Sequence, residues 1–168
     1  MRVLRALIEV IAQDFRMDRI DRKILQHLQR DAATSHAELG ERVHLSASQV
    51  SRRIQRLQNE GIISRHVALL DEYKLGLNVE VYVAVSLSSY APESVTKFHE
   101  RMARLHEVML CASTTGDLDY LLRIVTKDLR SYSEFLNNEI LGHGDVSSVR
   151  SSVVLDRIKH DTSLPIQN

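Results

Sequence analysis

The feature that most constrains this chain of 168 residues is a change of hydrophobic period near Val79. Before that point apolar residues recur in short segments at helical spacing. After it, Val79, Val81, Val83, Val85 and Leu87 alternate strictly, as in a strand with one buried face. A chain of this length accommodates two small domains. The change of period places their junction in a linker at 67–78, whose Asp71–Asn78 stretch offers Gly76 and Asn78 as turn residues.

Ahead of the linker, residues 18–66 hold three short helical patterns. Asp18 caps the first, whose inward face is Ile20, Ile24, Leu25 and Leu28. Ser35 with Glu38, and Ser46 with Gln49, have the spacing of capping boxes that open the second and third. Ala37, Leu39 and Val43 form the apolar side of the second, and Val50, Ile54 and Leu57 that of the third. Gly61 stops the third because it can take the left-handed conformation. Ile62–Leu70, rich in β-branched and apolar residues, reads as a short hairpin or wing.

Residues 79–160 follow a different plan. The Val79–Leu87 strand precedes a helix opened by Pro92 and carrying Val95, Phe98, Met102 and Leu105. Val108–Thr115 and Tyr120–Val125 read as strands joined at Gly116-Asp117, a hairpin signal. Asp128 caps a helix with Leu129, Tyr132, Leu136 and Ile140, ended by Gly142 and Gly144. Val149, Ser151, Val153 and Leu155 alternate along a last strand, leaving 161–168 as a tail. The fold class is therefore α+β: an N-terminal winged helix-turn-helix and a C-terminal ferredoxin-like βαββαβ domain.

The third helix points to a partner. With Val50, Ile54 and Leu57 turned inward, Ser48, Arg52 and Gln55 face outward, flanked by Gln49, Ser51 and Arg56. Arginines on an isolated helix read as a solvated face. Behind a short turn, Val43-His44-Leu45, and on the second of two capped helices, they read instead as a major-groove surface. Arg52 can fork onto guanine, Gln55 onto adenine, and Ser48 onto several groups. Ser46 opens this helix, and Arg56 and Arg65 suit phosphates. Net charge agrees: the chain is neutral, but Asp18–His66 carries nine Lys/Arg against six Asp/Glu, whereas the remainder after His66 carries ten against fourteen. The expected partner is double-stranded DNA.

The same residues resemble the leucine-responsive regulatory protein/AsnC (feast-famine) family of transcription regulators. Asp18-Arg19-Ile20-Asp21-Arg22-Lys23-Ile24-Leu25, Ala37-Glu38-Leu39 and Gly61-Ile62-Ile63 resemble its DNA-binding half, and Leu69-Leu70-Asp71 with Leu75-Gly76 its linker. Thr115-Gly116-Asp117-Leu118-Asp119-Tyr120-Leu121-Leu122-Arg123 resembles its effector-domain motif. The resemblance implies a homodimer built through the C-terminal domains, assembling further into tetramers or an octameric ring. It also implies an amino acid or amino-acid catabolite as effector, bound between dimers near the hairpin. By position, Gly116, Asp117 and Asp119 fall in the effector motif, and Ser113, Thr115 and Ser152 line the same pocket in relatives. Physically, Asp119 can take a ligand ammonium while N–H groups at the glycine turn take its carboxylate. The plainer role of Gly116-Asp117 is a hairpin turn, and that of Asp119 a structural carboxylate.

The chain departs from the family at His44, where relatives carry glycine, and at Ala47, where proline is common. Ser113 and Ser152 are smaller than the residues of the leucine sensor, which puts leucine as effector in question. The tail, Thr162–Ile166, resembles that of relatives governing amino-acid catabolism.

Other chemistries find little support. The histidines are scattered, Cys111 reads as a packed strand residue, and the glycines stand singly, so no metal, cofactor or phosphate loop is expected. The lone cysteine suits a reducing compartment. No apolar run approaches the roughly 20 residues needed to span a bilayer. Glu9 and Asp14 interrupt the one leader-like stretch, so the expected location is the cytoplasm. Residues 1–17 form an N-terminal extension, either an amphipathic helix (Leu4, Leu7, Ile8, Ile11, Phe15) or an unstructured leader. The competing functions are an architectural DNA-binding protein without effector sensing, and an enzyme on a ferredoxin-like scaffold.

Overall fold

The computed structural model describes residues 17–166. The proposed helix within 1–17 lies outside these residues. The chain forms two compact units, residues 17–68 with the returning tail 160–166, and residues 69–159.

The first unit contains α1 (Arg19–Leu28), α2 (His36–Val43) and α3 (Ala47–Asn59). Its core is Ile24, Leu39, Val43, Val50 and Ile54, ringed by Ile20, Leu28, Leu45 and Ile63. Each helix start is fixed by a side chain that accepts an otherwise unsatisfied N–H, worth about 1 kcal/mol apiece. Asp18 and Ser46 do so within complete capping boxes, answered by the Asp21 and Gln49 side chains. Ser35 accepts from the Glu38 N–H, but this box is only half formed. The Glu38 carboxylate reaches Arg42 one turn on, at 2.6 Å, instead of turning back.

Two residues shape the turn between α2 and α3. His44 takes the left-handed conformation (φ 59°), which costs a residue bearing a Cβ roughly 1 kcal/mol relative to glycine. Gly40 allows a close approach: a Cβ there would stand 2.4 Å from the Leu45 carbonyl oxygen. After α3, Gly61 is left-handed (φ 73°), as its position predicts. The expected wing does not form. The Ile62 and Ile63 N–H groups fold back onto the Leu57 carbonyl, at 2.9 and 3.1 Å, and among the described residues Ser64–Leu70 finds no partner strand.

The second unit begins with a 3-10 turn, Tyr73–Leu75, ended by left-handed Gly76. Then come β1 (Val79–Leu87), α4 (Pro92–Arg104), β2 (Val108–Ser113), β3 (Tyr120–Thr126), α5 (Leu129–Phe135, continued by a π-helical stretch Leu136–Leu141) and β4 (Val146–Val153). The sheet is antiparallel in the order β2-β3-β1-β4, the ferredoxin-like arrangement. Both helices lie on one face. Phe98 and Met102 of α4, and Tyr132, Phe135 and Ile140 of the second helical segment, pack on Val81, Val83, Val85, Leu122 and Ile124. The opposite face exposes Tyr82 and Leu110.

Three details differ from the sequence expectation. The last strand stops at Val153, and Leu155 is 95% exposed. The hairpin connection is a six-residue loop, Thr114–Asp119, because Thr114 and Asp119 pair through the Thr114 N–H and the Asp119 carbonyl rather than continuing the ladder to Thr115. Cys111 is exposed, since β2 is an edge strand and the helical layer does not reach over it.

Candidate DNA-binding face and effector hairpin

The outward face of α3 is an open, shallow concavity lined by Ser48, Ser51, Arg52, Gln55, Arg56 and Asn59. Val50, Ile54 and Leu57 are buried behind it, so helical geometry alone turns these residues to solvent. Arg52 and Arg65 are exposed and, among the described residues, their side chains make no ion pair or hydrogen bond. The Gln55 side chain bonds Asn59, one turn on, at 3.1 Å. Ser48 shares a 3.0 Å contact with the Ser46 hydroxyl. Ser46 and Gln49 are engaged in the capping box, with the Ser46 N–H donating to the Gln49 side chain at 3.0 Å. The structure thus gathers Ser46 to Arg56 on one helix, while Arg65 lies beyond its end.

Two of the α3 arginines face a buried acid that the spacing argument did not single out. Asp21 is 0% exposed. Its carboxylate accepts from Arg53 Nη1 at 2.8 Å, from Arg56 Nη2 at 2.5 Å and from the Asp18 N–H at 3.0 Å. Arg53 also holds Asp18 at 2.6 Å. Desolvation alone would raise the Asp18 carboxyl, but hydrogen bonds from the Asp21 N–H and Arg53 keep it below the usual carboxylate range. Arg53 therefore braces the fold. Arg56, with its side chain 42% exposed, both braces it and lines the outer face. An acid three residues after a capping Asp was the available sequence signal.

Around the hairpin, Gly116 adopts φ 112° with open space where a Cβ would stand, and Thr115, Gly116 and Asp117 are exposed. Among the described residues, the N–H groups from Thr115 to Leu118 have no protein acceptor. Asp119 is already engaged at the base of the loop. Its Oδ2 accepts the Leu87 N–H at 2.8 Å, where β1 shifts register, and its Oδ1 accepts the Tyr90 hydroxyl at 3.1 Å. The bond to Asp119 pushes the Tyr90 phenol above its ordinary range. Tyr90 was missed in the sequence because it sits in a loop with no periodic pattern.

The two serines are not brought together. Ser113 pairs with Tyr120 on edge strand β2, whereas Ser152 pairs with Tyr82 on the opposite edge, β4. Three strand spacings of about 4.8 Å separate the edges, and the two side chains point to opposite sheet faces.

One further cluster was illegible in sequence. Glu72, Glu80, Arg123 and Arg157 interlock beside the linker: Arg157 meets Glu72 at 2.6 Å and Glu80 at 2.5 Å, while Arg123 meets Glu72 at 2.6 Å and also Glu80. Desolvation opposes ionisation of both glutamates, yet the Arg157 and Arg123 hydrogen bonds hold them below the usual range. Among the described residues no three His, Cys, Asp or Glu side chains converge as metal ligands, and no helix is long and apolar enough to cross a membrane.

Residues 17–58 match the AsnC-type helix-turn-helix domain, and residues 80–164 the Lrp/AsnC ligand binding domain. The leucine-responsive regulatory protein of Escherichia coli K12 is 34% identical over 151 residues, covering 90% of this chain and 92% of the relative. A transcriptional regulator of Neisseria meningitidis, solved as an L-Met complex, superposes with a TM-score of 0.85 at 37% identity, covering 89% of this chain and 96% of that one. An AsnC family regulator of Agrobacterium tumefaciens gives a TM-score of 0.84 at 38% identity, with 89% and 97% covered. A capped helix pair with an outward basic face, followed by a one-sided βαββαβ sheet, is thus matched across nearly the whole chain: the protein belongs to the Lrp/AsnC family of transcription regulators, carrying that family's helix-turn-helix and ligand-binding domains and not an enzyme.

Proposed function

We propose that this regulator reads specific DNA through the outer face of α3 and alters its binding in response to an amino acid or amino-acid catabolite. The observation that carries the DNA half is the exposed, unpaired Arg52 between Ser48 and Gln55 on a helix whose other side is buried. In this reading Ser48, Arg52 and Gln55 meet base edges. Ser46, Gln49, Ser51, Arg56 and Arg65 contact or position the backbone, and Arg56 uses the guanidinium edge that Asp21 leaves free.

For the effector, support comes from the unpaired N–H groups of the hairpin tip, suited to a carboxylate, and from the L-methionine bound by the similar Neisseria regulator. Gly116, Asp117, Asp119, Thr115 and Ser113 form its near side. Ser152, on the far edge of the sheet, joins only through a second chain. The apolar residues on the open sheet face, Tyr82 and Leu110, favour a homodimer through that face, and further assembly would then bring hairpins of different dimers together. A cytoplasmic location follows from the DNA partner.

An architectural role without sensing is the second reading, favoured by one fact: both Asp119 oxygens already have partners within the chain. Thermal-shift and calorimetric screening against the twenty amino acids and their catabolites separates the two. Saturable binding that shifts DNA affinity is expected. A response to none of them would leave the architectural reading.

A further inference from the structure

After β4 the chain returns to the unit from which it started. The tail 160–166 groups with the helix-turn-helix, and it does so through side chains of α1 and the residue that caps its end. Gln29 forms a reciprocal pair with the Leu164 backbone: its Nε2 donates to the Leu164 carbonyl at 3.0 Å, and its Oε1 accepts the Leu164 N–H at 2.9 Å. Gln26, three residues earlier and so on the same face, donates to the Ile166 carbonyl at 3.0 Å. A primary amide offers the donor and acceptor of a peptide group in nearly the same geometry. The two glutamines thus hold the backbone of Leu164 and Ile166 on either side of a tight turn at Pro165, in which the Ile166 N–H donates to the Leu164 carbonyl at 2.9 Å. Leu164 itself is exposed, so recognition rests on backbone rather than on a side-chain pocket.

The helix that receives the tail also holds the recognition helix. Asp21, near the start of α1, accepts from Arg53 and Arg56 of α3. At the other end of the same path, Arg157 fixes the departing chain to Glu72 and Glu80, and Glu72 lies in the forward linker. We propose that the Gln26/Gln29 face of α1 is a docking site for this chain's own C-terminal segment. Tail docking gives the ligand-binding unit a second mechanical connection to the recognition helix, in addition to the linker. The path runs from Arg157 through Leu164 and α1 to Asp21, Arg53 and Arg56.

The test uses the full chain and does not depend on any effector. Gln29→Ala breaks the receptor, and Leu164→Pro removes the tail's donor at an exposed position. Amide hydrogen exchange in α1 and α3, and affinity for a labelled duplex of the gene's own upstream region, are read for each variant and for the pair. Each single change should speed exchange in both helices and weaken DNA binding by about threefold or more, with β1 and β3 unaffected. The double variant should be no worse than the singles, because both break one contact. Unchanged exchange and affinity in both singles, or losses that multiply in the double, would overturn the proposal. Mixed Gln29→Ala and Leu164→Pro chains supply a final arm. No recovery is expected from an intramolecular strap, whereas recovery would show the tail docking on a second copy and contradict it. Loss of DNA binding by the parent itself would instead strike at the proposed function, leaving the exchange result to judge the strap.

Discussion

The outer face of α3 and the hairpin after β2 are both exposed and polar, yet their key side chains stand in opposite conditions. Among the described residues the Arg52 side chain has no partner, which leaves it available to a second molecule. Asp119 is occupied on both oxygens, so it already serves the fold whatever else it binds. Between them stands Arg56, half committed to Asp21 and half exposed. The contrast teaches that a polar residue in a family motif is not thereby free: a ligand at Asp119 would have to displace or extend existing hydrogen bonds, whereas DNA at Arg52 would break none made by the described residues.

The largest effect should come from the acid behind the DNA-binding face. Asp21→Ala removes a buried carboxylate from two arginines that keep access to solvent and should cost roughly 2–3 kcal/mol, the worth of hydrogen bonds to a charged group. Chemical unfolding followed in α1 and α3 checks this. A loss below 1 kcal/mol would mean that Asp21 does not organise the helix pair.

Asp119→Asn sharpens the comparison at the hairpin. An amide oxygen can still accept from Leu87, so stability should fall by only about 1 kcal/mol, while the response to an amino-acid effector should vanish. A large drop in melting temperature with the response intact would make Asp119 structural only.

Arg65→Ala should weaken all duplexes alike and lower the salt slope of binding by about 1. An unchanged slope would remove Arg65 from the phosphate contacts.

The smallest effect concerns pH. Glu72 and Glu80 titrate lower in the folded unit than their ordinary 4.5. The stability they supply is therefore complete above that value and is lost as pH falls through their folded range. Acid titration of the unit's unfolding should show this loss, and Arg157→Ala should reduce it.

How much of this was legible depended on whether the cause was local. Asp18, Ser46 and Gly61 were readable because a cap or a left-handed stop is decided within four residues. The Ser35–Glu38 box failed because Arg42, one turn on, competed for the same carboxylate. Alternation located β1 correctly, but it could not tell that β2 would be an edge and leave Cys111 exposed, or that Ile62–Leu70 would lack a partner. The Glu72–Glu80–Arg123–Arg157 cluster joins residues up to 85 positions apart, and the Gln29–Leu164 pair spans 135. No period or motif carries such information. On the candidate DNA face, the outward residues were visible from helix geometry alone, while their division into free and committed arginines needed the position of Asp21.

Methylation interference tests the central claim most directly, because a methyl group on guanine N7 lies in the major groove, where a recognition helix reads bases. With the parent protein, methylation at particular guanines of the upstream duplex should block binding. With Arg52→Ala, interference at one such guanine per half-site should disappear while the others remain. Patterns identical in the two proteins, or binding indifferent to N7 methylation altogether, would contradict the account.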